Sequence, residues 1–456
     1  MGSTVRSEGD RPLDVAVIGT GISGLGAAWL LSQHHSVTVY EAAARIGGHS
    51  HTQEIEAGGR TIAVDTGFIV YNQPCYPNLT ALFDHLGVET AATDMSFAVS
   101  LDAGTLEYAG KDLAGLFAQP SNLLRPRFWS MIFDLLRFYR RARHDLPTMG
   151  EMTLDQYLDR GGYGRAFRED HLYPMAAAIW STPSIDVGAH PAAAFVRFCD
   201  NHGLLQLTNR PQWRTVVGGS RNYVERLIRP FADRILTATP VVAIRRDPRG
   251  VSVTDAGGTT RRFDHVVVAT HADRALALLG DPSADERRLL GAFRYAANTA
   301  VLHSDASLMP QRRAAWSSWN YLSAGRGRDR RLSVTYWMNR LQPLGPAPDL
   351  FVTLNPLRPP QPGSVIRSEV YDHPLFDVTT GRAQAELWSL QGVRNTWFCG
   401  AHFGAGFHED GLQAGLAVAE DLGGHPRPWQ VADDSARIAR RPVARPDATP
   451  RTEDVA

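Results

Sequence analysis

Between Asp14 and His51 the chain reads DVAVIGTGISGLGAAWLLSQHHSVTVYEAAARIGGHSH, and no other stretch restricts the possible folds so narrowly. Asp14 to Ile18 is a short apolar run, Gly19, Gly21 and Gly24 follow, and Leu25 to Leu31 is apolar at helical spacing: strand, tight turn, helix. Gly19 allows the turn, Gly21 leaves room for a pyrophosphate against the backbone, and Gly24 lets helix and strand pack closely. The helix N-terminus then faces the phosphates, with Ser23 in its first turn. Ser36 to Tyr40 alternates as a second strand and delivers Glu41 about 20 residues beyond the glycines, where a carboxylate accepts hydrogen bonds from ribose hydroxyls. This is the pattern of a dinucleotide site.

Alone, GxGxxG does not separate NAD from FAD, and ordinary glycine turns share it. The continuation Glu41-Ala-Ala-Ala-Arg45-Ile-Gly47-Gly48-His49 adds an ExxxRxGG pattern directly after the ribose acid. With it the chain resembles the FAD-containing amine oxidase and phytoene desaturase superfamily. The resemblance implies FAD as cofactor, with Arg45, Gly47 and Gly48 along the diphosphate and flavin and His49 where relatives often carry a basic residue. It further implies that Thr66 and Gly67, in Asp65-Thr-Gly-Phe68, run back past the flavin. A valine of the strand at Ile235 to Arg245, Val241 or Val242, would offer backbone atoms to the adenine.

The expected fold class is α/β, a Rossmann-like FAD-binding domain of the amine oxidase type with an interleaved α+β substrate domain. Residues 13–80, 210–275 and 385–424 are expected to form the discontinuous FAD-binding domain, and 81–209 with 276–384 the substrate domain. In the former, Gln53 to Asn72 signals a hairpin around Gly58-Gly59. In the latter, 110–209 has helical periodicity and many aromatics, whereas Ala300 to Asp305, Trp316 to Tyr321 and Ser333 to Trp337 alternate like strands. Residues 1–12 and 425–456 are polar or rich in Pro, Arg, Asp and Ala, a composition that predicts disorder.

A chain of 456 residues with 43% hydrophobic content is globular, and its 47 acidic and 47 basic residues balance, which argues against a nucleic-acid role. Cys75, Cys199 and Cys399 form neither a disulfide framework nor a metal-ligand spacing, so no metal is expected. No apolar run reaches the length of a transmembrane helix, and the first dozen residues lack the apolar core of a signal peptide. The expected location is cytoplasmic, with peripheral contact at the inner face of the membrane open. That contact is suggested by Leu123 to Arg143, LLRPRFWSMIFDLLRFYRRAR, which mixes aromatics with arginines. A core helix with a solvated basic edge reads the same way and is the commoner case.

Near the C-terminus, Thr396-Trp-Phe-Cys399-Gly400 is a strand ending at glycine, and Glu409 to Glu420 is a helix with small residues on one face. A helix N-terminus aimed at the flavin N1 and O2 stabilises the anionic reduced ring. The superfamily carries a second flavin motif here, which implies cofactor contacts for Gly400, Asp410, Gly411 and Leu412. Relatives often place an acid just after the strand-ending glycine to bind ribityl hydroxyls. Ala401 and His402 stand there instead, and Asp410 or Glu409 would have to compensate.

Three reactions are open. Amine oxidation meets an obstacle: many relatives of that type hold water with a lysine in the substrate domain, and Lys111 is the only lysine of this chain. Desaturation of a lipid or methyl-branched acyl chain is favoured by likeness in Asp65 to Asn72, Ala178 to Pro183, Trp316 to Tyr321 and Gly404 to Gly411. These segments resemble a bacterial subgroup of NAD/FAD-binding proteins whose genes often neighbour cyclopropane-fatty-acyl-phospholipid synthase-like methyltransferases. A redox-neutral or non-catalytic flavoprotein is the third. The expected partner is an apolar small molecule or lipid substrate, and the candidate bases are His303 and His408, ahead of Asp305 and Glu409.

Overall fold

The computed structural model describes residues 11–57, 59–180, 187–206, 208–325, 331–432 and 434–443. Gly58 of the expected hairpin turn, Ser181 to Pro183 of the aromatic segment and the chain ends 1–10 and 444–456 lie outside the described residues. The chain divides into two compact units: Met1–Gly48, Leu227–Ala292 and Ala383–Ala456 form the first, and His49–Arg226 with Phe293–Arg382 the second.

The first unit is built on a five-stranded parallel sheet in the order Ile235–Leu236, Ser36–Tyr40, Asp14–Ile18, His265–Val268, Thr396–Phe398. Asp14–Ile18 is central, with Val15, Ala16 and Val17 fully buried, because a parallel strand covered on both faces tolerates an unbroken apolar run. Helix Ile22–Leu31 leaves this strand through the glycine turn and buries all ten residues. Much of that burial is against helix His408–Gly423. A Cβ on Gly415 would lie 2.1 Å from the Ser23 carbonyl oxygen, and one on Gly26 would lie 2.9 Å from Leu412, so glycines allow the two helices to touch. An antiparallel sheet of Val241–Asp247, Gly250–Asp255 and Thr260–Phe263 completes the strands of the unit.

The second unit carries a seven-stranded sheet in the order Val365–Leu375, Arg294–His303, Phe351–Leu354, Arg331–Trp337, Trp319–Ala324, Phe97–Leu101, Leu106–Ala109. Its helical part includes Pro126–Asp145, Leu154–Arg160 and Ala192–Asn201. Pro126 at the first helical position starts the long helix, so Leu123 and Leu124 belong to a separate 3-10 turn, Pro120–Leu124. A hairpin of Thr52–Ala57 and Arg60–Asp65 and a small sheet of Tyr71–Asn72, Trp213–Val216 and Thr90–Thr93 are also in this unit.

These boundaries differ from the expected ones. Residues 49–80 and 210–226 group with the second unit because their strands pair with one another. Residues 276–292 group with the first, where Arg246 is ion-paired to Asp281 and Glu286. The expected disorder from 425 is also corrected as far as residue 443. Arg427 pairs with Glu420 at 2.7 Å, Trp429 stacks on Trp29 at 5.7 Å, and Arg440 reaches Asp421 at 2.7 Å.

Candidate functional site

The first unit folds its two glycine-rich signals onto each other. Gly24 is obligatory, since a Cβ there would sit 2.0 Å from the Gly19 carbonyl oxygen, while around Gly21 no atom lies within 4 Å of where a Cβ would be. The open space is on the side where a pyrophosphate approaches the turn. Gly47 N–H donates to the Thr20 carbonyl at 3.1 Å, and Gly48, at φ +56°, lies so near Gly21 that a Cβ would come within 2.9 Å of its Cα. Arg45 is held by one bond, from Nη1 to the Gly48 carbonyl at 2.7 Å. Glu41 directly follows the strand Ser36–Tyr40, its carboxylate fixed by the amides of Thr20 at 3.0 Å and Ala43 at 2.8 Å and by the Thr20 hydroxyl. Oε2 is filled by the two Thr20 donors, whereas Oε1, with one bond, keeps an acceptor site for a ribose hydroxyl. Val242 sits where the register slips between Val241 and Ala243, 53% exposed, so the bulge frees backbone at the place expected for adenine.

Other expected contacts are placed differently. Ser23 is buried with its hydroxyl against the Cys399 thiol, which faces it into the protein interior. Gly400 is glycine because the His402 imidazole folds over it, within 2.6 Å of a Cβ position. His402 itself is buried, its pKa pushed down to about 3 by that burial and secondarily by His271, and offers nothing like a ribityl acid. Asp410 does not compensate: its carboxylate accepts from Phe407 N–H at 2.8 Å and meets Arg437 at 3.4 Å. Glu409 is fully buried and accepts from Gln413 at 3.0 Å. Gly411 N–H donates to the Phe407 carbonyl at 3.1 Å, the first intrahelical bond, and Leu412 is buried between helices. The positive end of this helix is therefore presented by residues 408–410, not by Gly411 and Leu412.

In the second unit, a Cβ on Gly67 would lie 2.2 Å from the His49 carbonyl oxygen, so the glycine is required by neighbouring main chain. Thr66 joins an array that sequence reasoning missed. Gln53 presents its amide nitrogen both to Glu369 at 3.5 Å and to His51 Nε2 at 2.6 Å, which leaves that nitrogen as acceptor and Nδ1 as donor. His51 Nδ1–H then donates to the Tyr371 hydroxyl at 2.8 Å, and Tyr371 donates to Thr66 Oγ1 at 2.8 Å. His49 lies against Tyr371 and His373, at ring separations of 5.1 and 5.6 Å. Asn298 Nδ2 donates to His373 Nδ1 at 3.2 Å, which makes His373 neutral with its proton on Nε2. Beside the array, Asp65 is fully buried and its pKa is raised by burial, against bonds from Thr52, Ser220 and Gln342. It anchors the hairpin.

The two candidate bases fare unequally. His303 Nδ1 accepts from Asp305 N–H at 3.1 Å and Nε2 donates to Thr353 Oγ1 at 2.7 Å, with Phe351 packed at 5.6 Å. Both nitrogens are engaged in a sheet interior where burial, opposed by Asp305, pushes the pKa down to about 4, so the expectation of a base at His303 is corrected to a structural role. Asp305 caps the turn after it, accepting from Ser307 N–H at 2.9 Å. His408 opens its helix, and burial pushes its pKa down to about 3, far from the value that suits proton transfer near neutrality.

The profile of the flavin containing amine oxidoreductase family matches residues 22–304, more than half of the chain, and the protein belongs to that family. Flavin-containing amine oxidase A of Bos taurus is 26% identical over 268 residues, 54% of this chain and 47% of that protein. The chain thus spans about half the length of the curated relatives it matches. Among solved structures, wild-type putrescine oxidase bound to putrescine superposes with a TM-score of 0.65 at 16% identity, covering 91% of this chain and 100% of that one. A CLA-producing fatty acid isomerase from P. acnes superposes at 0.62 and 16% identity, covering 92% and 99%. The likeness to both is one of fold. The cofactor is FAD, and the residues expected for it leave it room: Gly21 with its open side and Arg45 would meet the diphosphate, Glu41 the ribose, Val242 the adenine, and the start of helix His408–Gly423 the flavin ring.

Proposed function

We propose that this protein is an FAD-dependent oxidoreductase that dehydrogenates a lipid or methyl-branched acyl chain, forming a carbon–carbon double bond. FAD supplies the acceptor that takes a hydride from carbon. A side chain must then take the neighbouring proton, and in this reading it comes from the cluster of His49, Tyr371 and His373 in the second unit. His49 is the acceptor in this reading, and Tyr371, fixed between His51 and Thr66, positions the rings.

The observation that carries the reading is the fate of the one lysine. The one lysine, Lys111, is exposed with its Nζ donating to the Trp316 carbonyl at 2.9 Å, and the sequence holds no second lysine for the water-holding role of amine-oxidising relatives. Arginine is a poor replacement, being larger and more weakly hydrated. The resemblance of Asp65 to Asn72 and Gly404 to Gly411 to the acyl-desaturating subgroup supports the same substrate class. The fold selects neither, since it is shared by a putrescine oxidase and a fatty acid isomerase. Amine oxidation is favoured by one fact, that the aligned curated relatives are amine oxidases. Incubation of the flavin-loaded protein with methylene-branched acyl phospholipids, followed by mass analysis, tests the proposal. Acyl product two hydrogens lighter supports it; unchanged acyl chains together with ammonia release from amines overturns it.

A further inference from the structure

Half of the large exposed hydrophobic side chains among the described residues fall between positions 113 and 133. Three successive elements present them: Leu113 in Leu113–Leu116, Leu123 and Leu124 in the turn Pro120–Leu124, and Trp129 with Phe133 one turn apart on helix Pro126–Asp145. Leu113 is 75%, Leu124 87% and Phe133 69% exposed. These are not surplus core residues. The inner face of the same helix is separately filled by Phe128, Met131, Phe138 and Ala142, all buried.

Trp129 at the middle of this stretch is held in place. Trp129 Nε1 donates to the Leu123 carbonyl at 2.9 Å, and its ring rests 6.0 Å from Phe117. Around it the charge is one-sided. From Lys111 to Arg143 there are seven basic and two acidic residues. Arg127 is neutralised by Glu169 and Asp170, Arg137 by Asp134 and Arg143 by Asp200. Among the described residues no carboxylate lies within ion-pair distance of Arg125, Arg140 or Arg141. Arg140 follows Phe133 by seven residues and so shares its helical face.

We propose that this surface docks on an anionic lipid bilayer, with Leu124, Trp129 and Phe133 entering the headgroup boundary and Arg125, Arg140 and Arg141 meeting lipid phosphates. Apolar side chains ringed by arginine suit that boundary, where a surface negative potential attracts the charge and the apolar groups leave water. A second copy of the chain fits less well, because a two-fold contact would set the same arginines against each other. The inference stands apart from the substrate reading, since it needs no turnover.

The test is sedimentation of the flavin-loaded full chain with vesicles of phosphatidylcholine alone or mixed with phosphatidylglycerol. Binding is expected to the mixed vesicles, falling as salt rises. Arg140→Gln and Arg141→Gln should each lower partitioning about fivefold. Leu124→Ser with Phe133→Ser should abolish it while FAD content and thermal unfolding stay unchanged. Protein left in the supernatant with the mixed vesicles, or binding untouched by these variants, overturns the proposal. So does a dimer in sedimentation velocity that the Leu124→Ser, Phe133→Ser variant dissolves.

Discussion

Gly21 and Glu41 carry the cofactor argument at the scale of single residues. With open space where its Cβ would be, Gly21→Val should fold, because nothing within 4 Å of that position opposes the first added carbon, yet release a colourless protein. Glu41→Ala should weaken FAD binding by about 1.5–3 kcal/mol, the worth of hydrogen bonds to a charged acceptor. Equilibrium titration of the apoprotein by flavin fluorescence reads both, and wild-type affinity in either variant contradicts the roles assigned. The histidines separate just as clearly. His303→Ala should cost about 2–4 kcal/mol of stability, by opening a cavity, removing one of the two bonds of the Thr353 hydroxyl and leaving the Asp305 amide without a partner, while the folded fraction reduces its flavin at the normal rate. His49→Gln should instead slow flavin reduction about 100-fold with little change in unfolding temperature. Stopped-flow absorbance checks this, and a full rate in that variant removes the array from the chemistry. None of this division was legible in the chain. His303 looked like a base because a sequence does not show that Thr353, fifty residues on, closes its second nitrogen.

At the scale of elements, the glycine turn and the parallel strands were legible because their spacing is local and their burial is written as unbroken apolar runs. The array was not, because Tyr371 and His373 come to His49 and His51 only through a strand more than 300 residues away. The C-terminal stretch misled for a related reason. Its contacts are ion pairs and ring stacks without periodicity, so composition signalled disorder where Arg427 and Arg440 grip helix His408–Gly423. This grip is pH-dependent. Burial alone would raise the Glu420 carboxyl, but Arg427 and Arg440 outweigh it and hold it below its ordinary 4.5. A carboxyl depressed in the folded state stabilises above its unfolded value and loses that contribution as pH falls through the folded one. Residues 427–440 should therefore become protease-sensitive below about pH 4.5, and in Glu420→Gln already at neutral pH. Equal cleavage at pH 4 and 7 in the wild type would show that the ion pairs do not hold the segment.

Across the whole molecule, the fold class and the cofactor were readable from two motifs at opposite ends of the chain, and the family match agrees with them. The division into units was less so: the stretch after Gly48 looks like nucleotide-binding sequence yet pairs its strands within the second unit. Among the described residues no helix is long and apolar enough to cross a membrane. The choice between acyl chain and amine rests on Lys111 being held at Trp316 and on an array of imidazoles and a phenol. Anaerobic mixing of the oxidised, flavin-loaded protein with methylene-branched acyl lipids and, separately, with amines puts that choice to one absorbance trace. Bleaching by the acyl lipids and none by the amines is the predicted result; bleaching by amines with the lipids inert would contradict it.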